Sequence, residues 1–177
     1  MTNWQKDKRM IFEMTLLTIF MVAQIVLFIV FFSYGNVTYL KYIGYFFWTL
    51  SAIFGWLPIY EFRKKGKVPK GKGYVHTTKL VTSGVYSIVR HPQFLAGILL
   101  SIAFTLISQH WSVSILSIPV VIILYKDMYR ADKSAIEKFR KDYEDYMKEV
   151  PKMNFILGIK RIILINLCKN DRQTSKN

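Results

Sequence analysis

Two long stretches of almost continuous apolar residues dominate the hydropathy pattern of the chain, at 11–32 and 42–60. Each approaches the roughly 20 residues that an α-helix needs to cross the hydrocarbon core of a bilayer. Two further apolar segments follow at 92–108 and 112–126, and the first of these is short for a full span. The pattern predicts an all-α fold, a membrane bundle of about four transmembrane helices with cytosolic amphipathic C-terminal helices, in a single domain over 1–177.

A second pattern follows the fourth apolar segment, where apolar residues recur at intervals of three and four. Their spacing predicts an amphipathic helix from 130 to about 150 that docks one face on the bundle or the membrane. The stripe consists of Ile136, Phe139, Tyr143, Tyr146 and Val150. Asp132 begins the same face, and a carboxylate there has to be paired, hydrated or functional. Beyond Pro151, the apolar run 156–167 is interrupted by two basic residues and indicates a helix at the membrane interface.

Composition and charge agree with a membrane protein. The chain is 52% hydrophobic and carries a formal net charge of +14. Basic residues precede the first apolar segment, follow the fourth and fill the loop 63–91, whereas the short loops on the other side contain only Lys41. By the positive-inside rule we expect a multi-pass protein with both termini and the central loop in the cytoplasm. The basic residues then serve topology and anionic headgroups, so the bilayer is the expected partner and nucleic acid is not.

Candidate chemistry lies at Arg90-His91-Pro92, directly before the third apolar segment. Proline has no amide hydrogen and a fixed φ, so Pro92 suits the first turn of a helix. The positive end of that helix, with Arg90 and His91, would suit an anion such as a carboxylate or phosphate. An arginine that binds lipid phosphate and a histidine that caps a helix are an equally good explanation of the tripeptide alone. The three histidines are scattered and the single cysteine is Cys168, so no metal site and no internal disulfide are expected.

Residues around this tripeptide resemble a known family. The matching positions are the run 80–86 (LVTSGVY), Arg90-His91-Pro92-Gln93-Phe94, Gly97, an acidic helix start near 131, and Phe139, Tyr143, Tyr146 and Val150-Pro151. Over about 75–155 the chain resembles the isoprenylcysteine carboxyl methyltransferase group, which is related to the phospholipid N-methyltransferases. The joint occurrence of both blocks is far more specific than either block alone.

The resemblance implies an integral membrane enzyme that binds S-adenosyl-L-methionine in a cytosolic pocket and receives a lipophilic or prenylated acceptor laterally from the bilayer. On this reading the expected catalytic residues are Arg130, which would steer an anionic acceptor, and Asp132, which would hold a hydroxyl or amine of the cofactor. Because a sulfonium methyl donor is already activated, no metal is required. Together with the helix-start argument for Arg90, the expected cofactor-binding residues are Thr78, Lys79, Leu80, Val81, Tyr86, Arg90, His91, Pro92, Gln93, Phe94 and Asp132. Relatives commonly carry tyrosine at the position of Phe94, so a hydroxyl contact is lost there.

Other departures from the family pattern bear on the acceptor. Relatives open the last helix with a pair of glutamates, whereas this chain has Ala131-Asp132. Ungapped alignment leaves Asp132 as the available carboxylate, one residue along and one methylene shorter. The family arginine that orients the acceptor falls near Asp127, so Arg130 would substitute for it. A glycine that follows the phenylalanine of the stripe is replaced by Arg140.

Several functions remain open at the level of sequence. A carboxylate acceptor arrives ionised and needs a neighbouring cation, whereas an amine must lose a proton and needs a base or a water route. Arg130 favours an anionic acceptor slightly, and a phospholipid or amine N-methyltransferase is the nearest alternative. A membrane reductase with a similar bundle is a further alternative, although no glycine-rich dinucleotide motif is present. The last is a non-catalytic membrane scaffold. The oligomeric state is left open.

Overall fold

A computed structural model of the protein describes residues 3–67 and 78–174. These two ranges contain six α-helices: α1 (Asn3–Val30), α2 (Thr38–Lys65), α3 (Pro92–Ser108), α4 (Trp111–Phe139), α5 (Lys141–Glu149) and α6 (Phe155–Thr174). A short 3₁₀ turn covers Gly84–Ser87. The described residues contain no strand, so the all-α fold class predicted from the hydropathy pattern is confirmed. His76 and most of the basic part of the loop 63–91 lie outside the described residues.

Within the described part of the chain, three helical segments are long and apolar enough to cross a membrane: Lys8–Val30, Thr38–Lys65 and Trp111–Phe139. Helix α3 is apolar but shorter, with 17 residues. It begins at Pro92 as predicted, because proline suits a first helical turn whose amide hydrogens have no intrahelical acceptor. Large apolar side chains stay exposed along α1, including Ile11, Phe12 and Ile29, which is the arrangement expected where the solvent is lipid.

The sequence predicts a span over 112–126 and a separate amphipathic helix from 130, and this boundary is wrong. One helix, α4, continues through 126–130 and ends at Phe139, so Arg130 and Asp132 lie inside it. No glycine or proline interrupts 120–139, and charged side chains do not by themselves end a helix. The break comes ten residues later than Arg130, at Arg140, which has a φ of 50° before α5 begins. The predicted helix over 130–150 is therefore two helices.

The chain folds as two compact units, the first within Met1–Ile53 and Phe94–Ala131. Its apolar core contains Phe28 and Phe104, whose rings stack with centroids 4.3 Å apart. A buried polar group lies in the same unit. The amide nitrogen of Gln24 donates to the carbonyl oxygen of Ser101 at 3.2 Å, and the Ser101 hydroxyl donates back to the Gln24 amide oxygen at 2.9 Å. Such reciprocal bonds join helices in apolar surroundings, where an unpaired amide would be costly.

The second unit lies within Phe54–Gln93 and Asp132–Asn177. Its core confirms the predicted stripe, because Tyr143, Tyr146 and Val150 are buried together and Ile136 and Phe139 pack against them. Residues of the stripe on both sides of the helix break at 140 belong to the same cluster. Gly84 begins the 3₁₀ turn with a φ of 65°, and a β-carbon there would overlap the Glu61 carboxylate. The turn predicted at this glycine is thus required both by its backbone conformation and by a close neighbour.

Helix α6 docks on the second unit through its first turns. Phe155 packs against Phe54 with ring centroids 5.8 Å apart. The Arg161 guanidinium donates to the carbonyl oxygen of Glu149 at 2.8 Å and to that of Ser87 at 3.0 Å. The backbone at Gly158 comes so close to Ile88 that a β-carbon would overlap the Ile88 carbonyl group. A residue without a side chain is therefore needed at 158 for α6 to dock.

Gly158→Ala is expected to destabilise the protein by about 1–3 kcal/mol, the usual cost of overpacking. Alanine favours a helix by about 1 kcal/mol over glycine, but here its methyl group meets backbone that cannot rotate away. Thermal unfolding of detergent-purified protein, followed by tryptophan fluorescence, measures the change. Gly97→Ala is the matched control, because its methyl group would meet only the flexible end of the Leu124 side chain, at 2.9 Å. Equal effects of both substitutions would contradict a backbone contact at 158.

Candidate active site

Backbone hydrogen bonds hold the Arg90-His91 dipeptide in place. The Arg90 amide donates to the carbonyl oxygen of Pro151 at 3.1 Å, and the His91 amide donates to that of Lys152 at 3.3 Å. Both side chains are buried, with exposed fractions of 9% for Arg90 and 7% for His91. Two neighbouring residues after the apolar stripe thus fix the two residues that precede α3. The sequence motif is a rigid, buried element of the second unit.

Asp132 lies at the centre of a buried cluster of donors and cations. Its Oδ1 is 2.6 Å from His91 Nε2 and accepts a hydrogen bond from the Tyr143 hydroxyl at 2.7 Å. Its Oδ2 is 3.0 Å from the ammonium group of Lys152, and Arg90 Nη1 is 3.5 Å from Oδ1. An ionised carboxylate can only accept, so His91 Nε2 carries a hydrogen in this arrangement. The requirement that the Asp132 carboxylate be paired is met by groups of this chain.

The guanidinium of Arg90 is incompletely paired. Its Nε and Nη1 atoms are buried and have no hydrogen-bond partner within the described parts of the chain. The 3.5 Å separation from Asp132 is too long for a strong hydrogen bond, so it contributes ion pairing only. A buried cationic donor without an acceptor costs free energy that a ligand carboxylate or phosphate would recover. Arg90 therefore meets the chemical requirement for an anion-binding residue.

Two buried tyrosines complete the cluster as neutral donors. Burial raises the pKa of the Tyr143 phenol well above its ordinary value, and the hydrogen bond to Asp132 raises it further. Burial likewise raises the pKa of Tyr146, whose hydroxyl donates to the Tyr86 carbonyl oxygen at 2.6 Å. The ring of Tyr86 is buried and stacks on Phe62 with centroids 4.7 Å apart. In these contacts the predicted cofactor residue Tyr86 helps to build the wall of the site.

A pocket of about 420 Å³ contains three of the predicted cofactor residues. It is lined by Lys67, Thr78, Lys79, Leu80, Phe139 and Asp142. The Thr78 amide and hydroxyl donate to the carbonyl oxygens of Gly66 and Lys67, each at 2.9 Å, so they shape the pocket edge. Leu80 also packs against the tyrosine cluster, which links the pocket to the Asp132 environment. Sequence reasoning missed Asp142 and Lys67 as pocket residues, although Phe139 was already part of the stripe.

The remaining predicted residues differ in their surroundings. Val81 and Pro92 are buried, whereas Gln93 and Phe94 are half-buried in the first turn of α3. Arg130 belongs to the first unit. There its guanidinium pairs with the Glu13 carboxylate and lies 2.9 Å from Asp127. The structure therefore brings Arg90, His91 and Asp132 together and gives Arg130 two carboxylate partners of its own.

Comparison with known proteins supports the resemblance seen in the sequence. The Isoprenylcysteine carboxyl methyltransferase (ICMT) family matches residues 72–137, and this segment includes Arg90, His91 and Asp132. The predicted likeness to this methyltransferase family is thereby confirmed. No curated protein and no solved structure matches the chain. The three long apolar helices and the family match over about a third of the chain support an integral membrane protein with a segment similar to this methyltransferase family.

Proposed function

We propose that this protein transfers the methyl group of S-adenosyl-L-methionine to a lipophilic acceptor at the cytosolic face of a membrane. The proposal rests on one observation above all, the buried Arg90 guanidinium whose Nε and Nη1 have no hydrogen-bond partner in the described chain. This group lies within the segment that matches a methyltransferase family. A buried donor pair of this kind fits a ligand with a carboxylate, and the methionine half of the cofactor carries one.

The residues present fit the other parts of the cofactor as well. Asp142 lines the pocket and could pair with a ligand ammonium group, while Leu80 and Phe139 offer apolar surface to a purine ring. The cofactor supplies an already activated methyl group on a sulfonium, so no metal is needed. The protein has only to bind, orient and exclude water. The full set proposed to contact the cofactor is Thr78, Lys79, Leu80, Val81, Tyr86, Arg90, His91, Pro92, Gln93, Phe94 and Asp132.

For Asp132 the contacts favour a positioning role. Its Oδ1 lies within 2.7 Å of His91 and Tyr143, whereas its Oδ2 is ion-paired with Lys152 at 3.0 Å but has no hydrogen bond within the described chain, so only Oδ2 is open to a ligand donor. A carboxylate held in this way orients the imidazole and keeps the neighbouring guanidinium in line with the binding site. It does not need to touch the reacting atoms. We therefore propose that Asp132 orients Arg90 and His91 through Oδ1 and contacts the cofactor through Oδ2.

Arg130 bears on the class of acceptor. With Glu13 and Asp127 beside it, the guanidinium is already neutralised by two carboxylates, so it does not offer a free cation to an ionised acceptor. This weakens the sequence argument for a prenylcysteine carboxylate and makes an amine-bearing lipid an equal candidate. The reaction at an amine would need a proton acceptor, which a carboxylate acceptor would not. For topology we propose four passes with both termini cytoplasmic, on the distribution of Lys and Arg.

Calorimetric titration of the detergent-purified protein with S-adenosyl-L-methionine and, separately, with NADPH tests the proposal. We expect binding of the methyl donor and none of the nicotinamide cofactor. Binding of NADPH alone would favour a membrane reductase. Absence of both would count against any cofactor-dependent function and favour a scaffold.

The acceptor is tested with donor labelled in its methyl group. Purified protein is incubated with a prenylcysteine analogue in one sample and with a total lipid extract in another. Label transferred to the analogue indicates a carboxyl acceptor, and label transferred only to lipid indicates a headgroup acceptor. Donor binding without transfer in either sample would support a cofactor-binding protein that has lost its catalytic activity.

A further inference from the structure

Helix α6 has its apolar and polar sides in an unusual arrangement. The face toward the rest of the second unit includes Phe155, Gly158 and the guanidinium of Arg161. The opposite face is an apolar stripe whose members recur at intervals of three, one and four and are all at least 42% exposed. It comprises Ile156, Ile159, Ile163, Leu164 and Leu167. A row of exposed aliphatic side chains along one side of a helix needs an apolar neighbour.

The length and charge of α6 limit what that neighbour can be. The apolar part ends near Cys168 and contains Lys160 and Arg161, so it is too short and too polar for the roughly 20 residues of a transmembrane span. It is not among the three helices of the described chain that are long and apolar enough to cross a membrane. Lys160 is exposed on the same side as the stripe. Its aliphatic stem can lie along the apolar side chains while its ammonium group stays in contact with water or polar headgroups. That combination matches an anionic headgroup layer over acyl chains.

We propose that α6 lies in the plane of the membrane, with the stripe inserted below the lipid headgroups and Lys160 among anionic ones. Because α6 is tied to the carbonyl of Ser87 through Arg161, and to Ile88 through Gly158, it fixes the segment that leads into Arg90. The position of α6 in the bilayer surface therefore fixes the depth of the Arg90 site relative to the lipid headgroups, and with it the depth at which a lipophilic molecule can bind. This inference does not require the methyl donor, since it concerns the surface of α6 alone.

Site-directed spin labelling tests the proposal in vesicles. The lone cysteine, exposed on α6, is first replaced by Cys168→Ser. Single cysteines are then introduced as Ile163→Cys in the stripe and as Ile165→Cys, about 200° away on the helix. The two isoleucines are matched controls, because they are 53% and 52% exposed. The protein is reconstituted in phosphatidylcholine vesicles containing a quarter phosphatidylglycerol, and collisions of each label with oxygen and with a water-soluble nickel complex are measured.

We expect the label at 163 to collide more with oxygen than with nickel, and the label at 165 to show the reverse preference. High nickel accessibility at both positions would overturn the proposal, because it would leave the stripe in water. Low nickel accessibility at both would also overturn it, because the helix would then not lie in the plane of the membrane with one side in water. Spin–spin broadening at 163 that disappears when labelled protein is diluted with unlabelled protein would overturn it differently, by identifying a second copy of the chain as the occupant. Neither readout depends on cofactor binding, so failure here is distinguishable from failure of the proposed enzymatic function.

Discussion

Asp132→Ala is expected to be the most destabilising single substitution in the site, at about 3–5 kcal/mol, because it leaves buried cations without their carboxylate. Arg90, His91, Lys152 and the Tyr143 hydroxyl all lie within 3.5 Å of Asp132 oxygens. For a chain of this size, such a loss corresponds to a fall in the thermal midpoint on the order of 10 °C. Tryptophan fluorescence during heating of detergent-purified protein measures it, since the chain contains four tryptophans.

The matched control is Asp142→Ala, which removes a carboxylate of the same type from the exposed first turn of α5. Its effect should stay within about 0.5 kcal/mol, as for most surface substitutions. Asp132→Asn should fall between the two, because the amide keeps the shape but carries no charge. If Asp132→Ala and Asp142→Ala shift the midpoint equally, the buried cluster does not contribute to stability as its geometry suggests.

Arg90→Met is expected to lower the affinity for S-adenosyl-L-methionine by at least tenfold while the protein remains folded. Methionine retains an unbranched apolar stem in the buried position and removes the two nitrogens that have no partner within the described chain. A charge-assisted hydrogen bond is worth about 1.5–3 kcal/mol, and 1.4 kcal/mol corresponds to a factor of ten in the dissociation constant. Calorimetric titration of the variant against wild type measures the loss.

Two controls distinguish ligand binding from a structural effect at Arg90. The thermal midpoint of Arg90→Met should change less than that of Asp132→Ala, since the substitution removes a poorly paired cation. Lys79→Met removes an exposed cation from the pocket edge and should weaken binding less. Unchanged affinity in Arg90→Met, in protein that melts as wild type does, would contradict the proposed carboxylate contact.

Much of the fold follows from periodicity that is local in the sequence. The long apolar helices, the start of α3 at Pro92 and the stripe ending at Val150 each depend on residues within one or two helical turns of one another. The position of the break at 140 was harder to find, because an arginine there gives no sign of a positive φ. The resemblance described above, which implies a glycine at this position, was the available signal, since glycine adopts that conformation without strain.

The candidate site was predictable in part. Arg90, His91 and Asp132 were identified from the helix start and from the carboxylate on an apolar face, and the structure brings them together. The contribution of Lys152 was not predictable, because no pattern in a sequence pairs one backbone segment with another far along the chain. Arg130 illustrates the same limit: its partner Glu13 is remote in sequence, so a cation that looked available is neutralised.

The backbone bonds from Arg90 to Pro151 and from His91 to Lys152 have a consequence for biosynthesis. They join residues about sixty positions apart, so the dipeptide cannot reach its final geometry while the chain is still being made through α3 and α4. Such a long loop also closes late in folding, because the chain entropy lost on closure opposes the contact until other interactions have formed. During translation the membrane helices would therefore form first, and ligand-binding competence would arise only when residues 151 and 152 have left the ribosome.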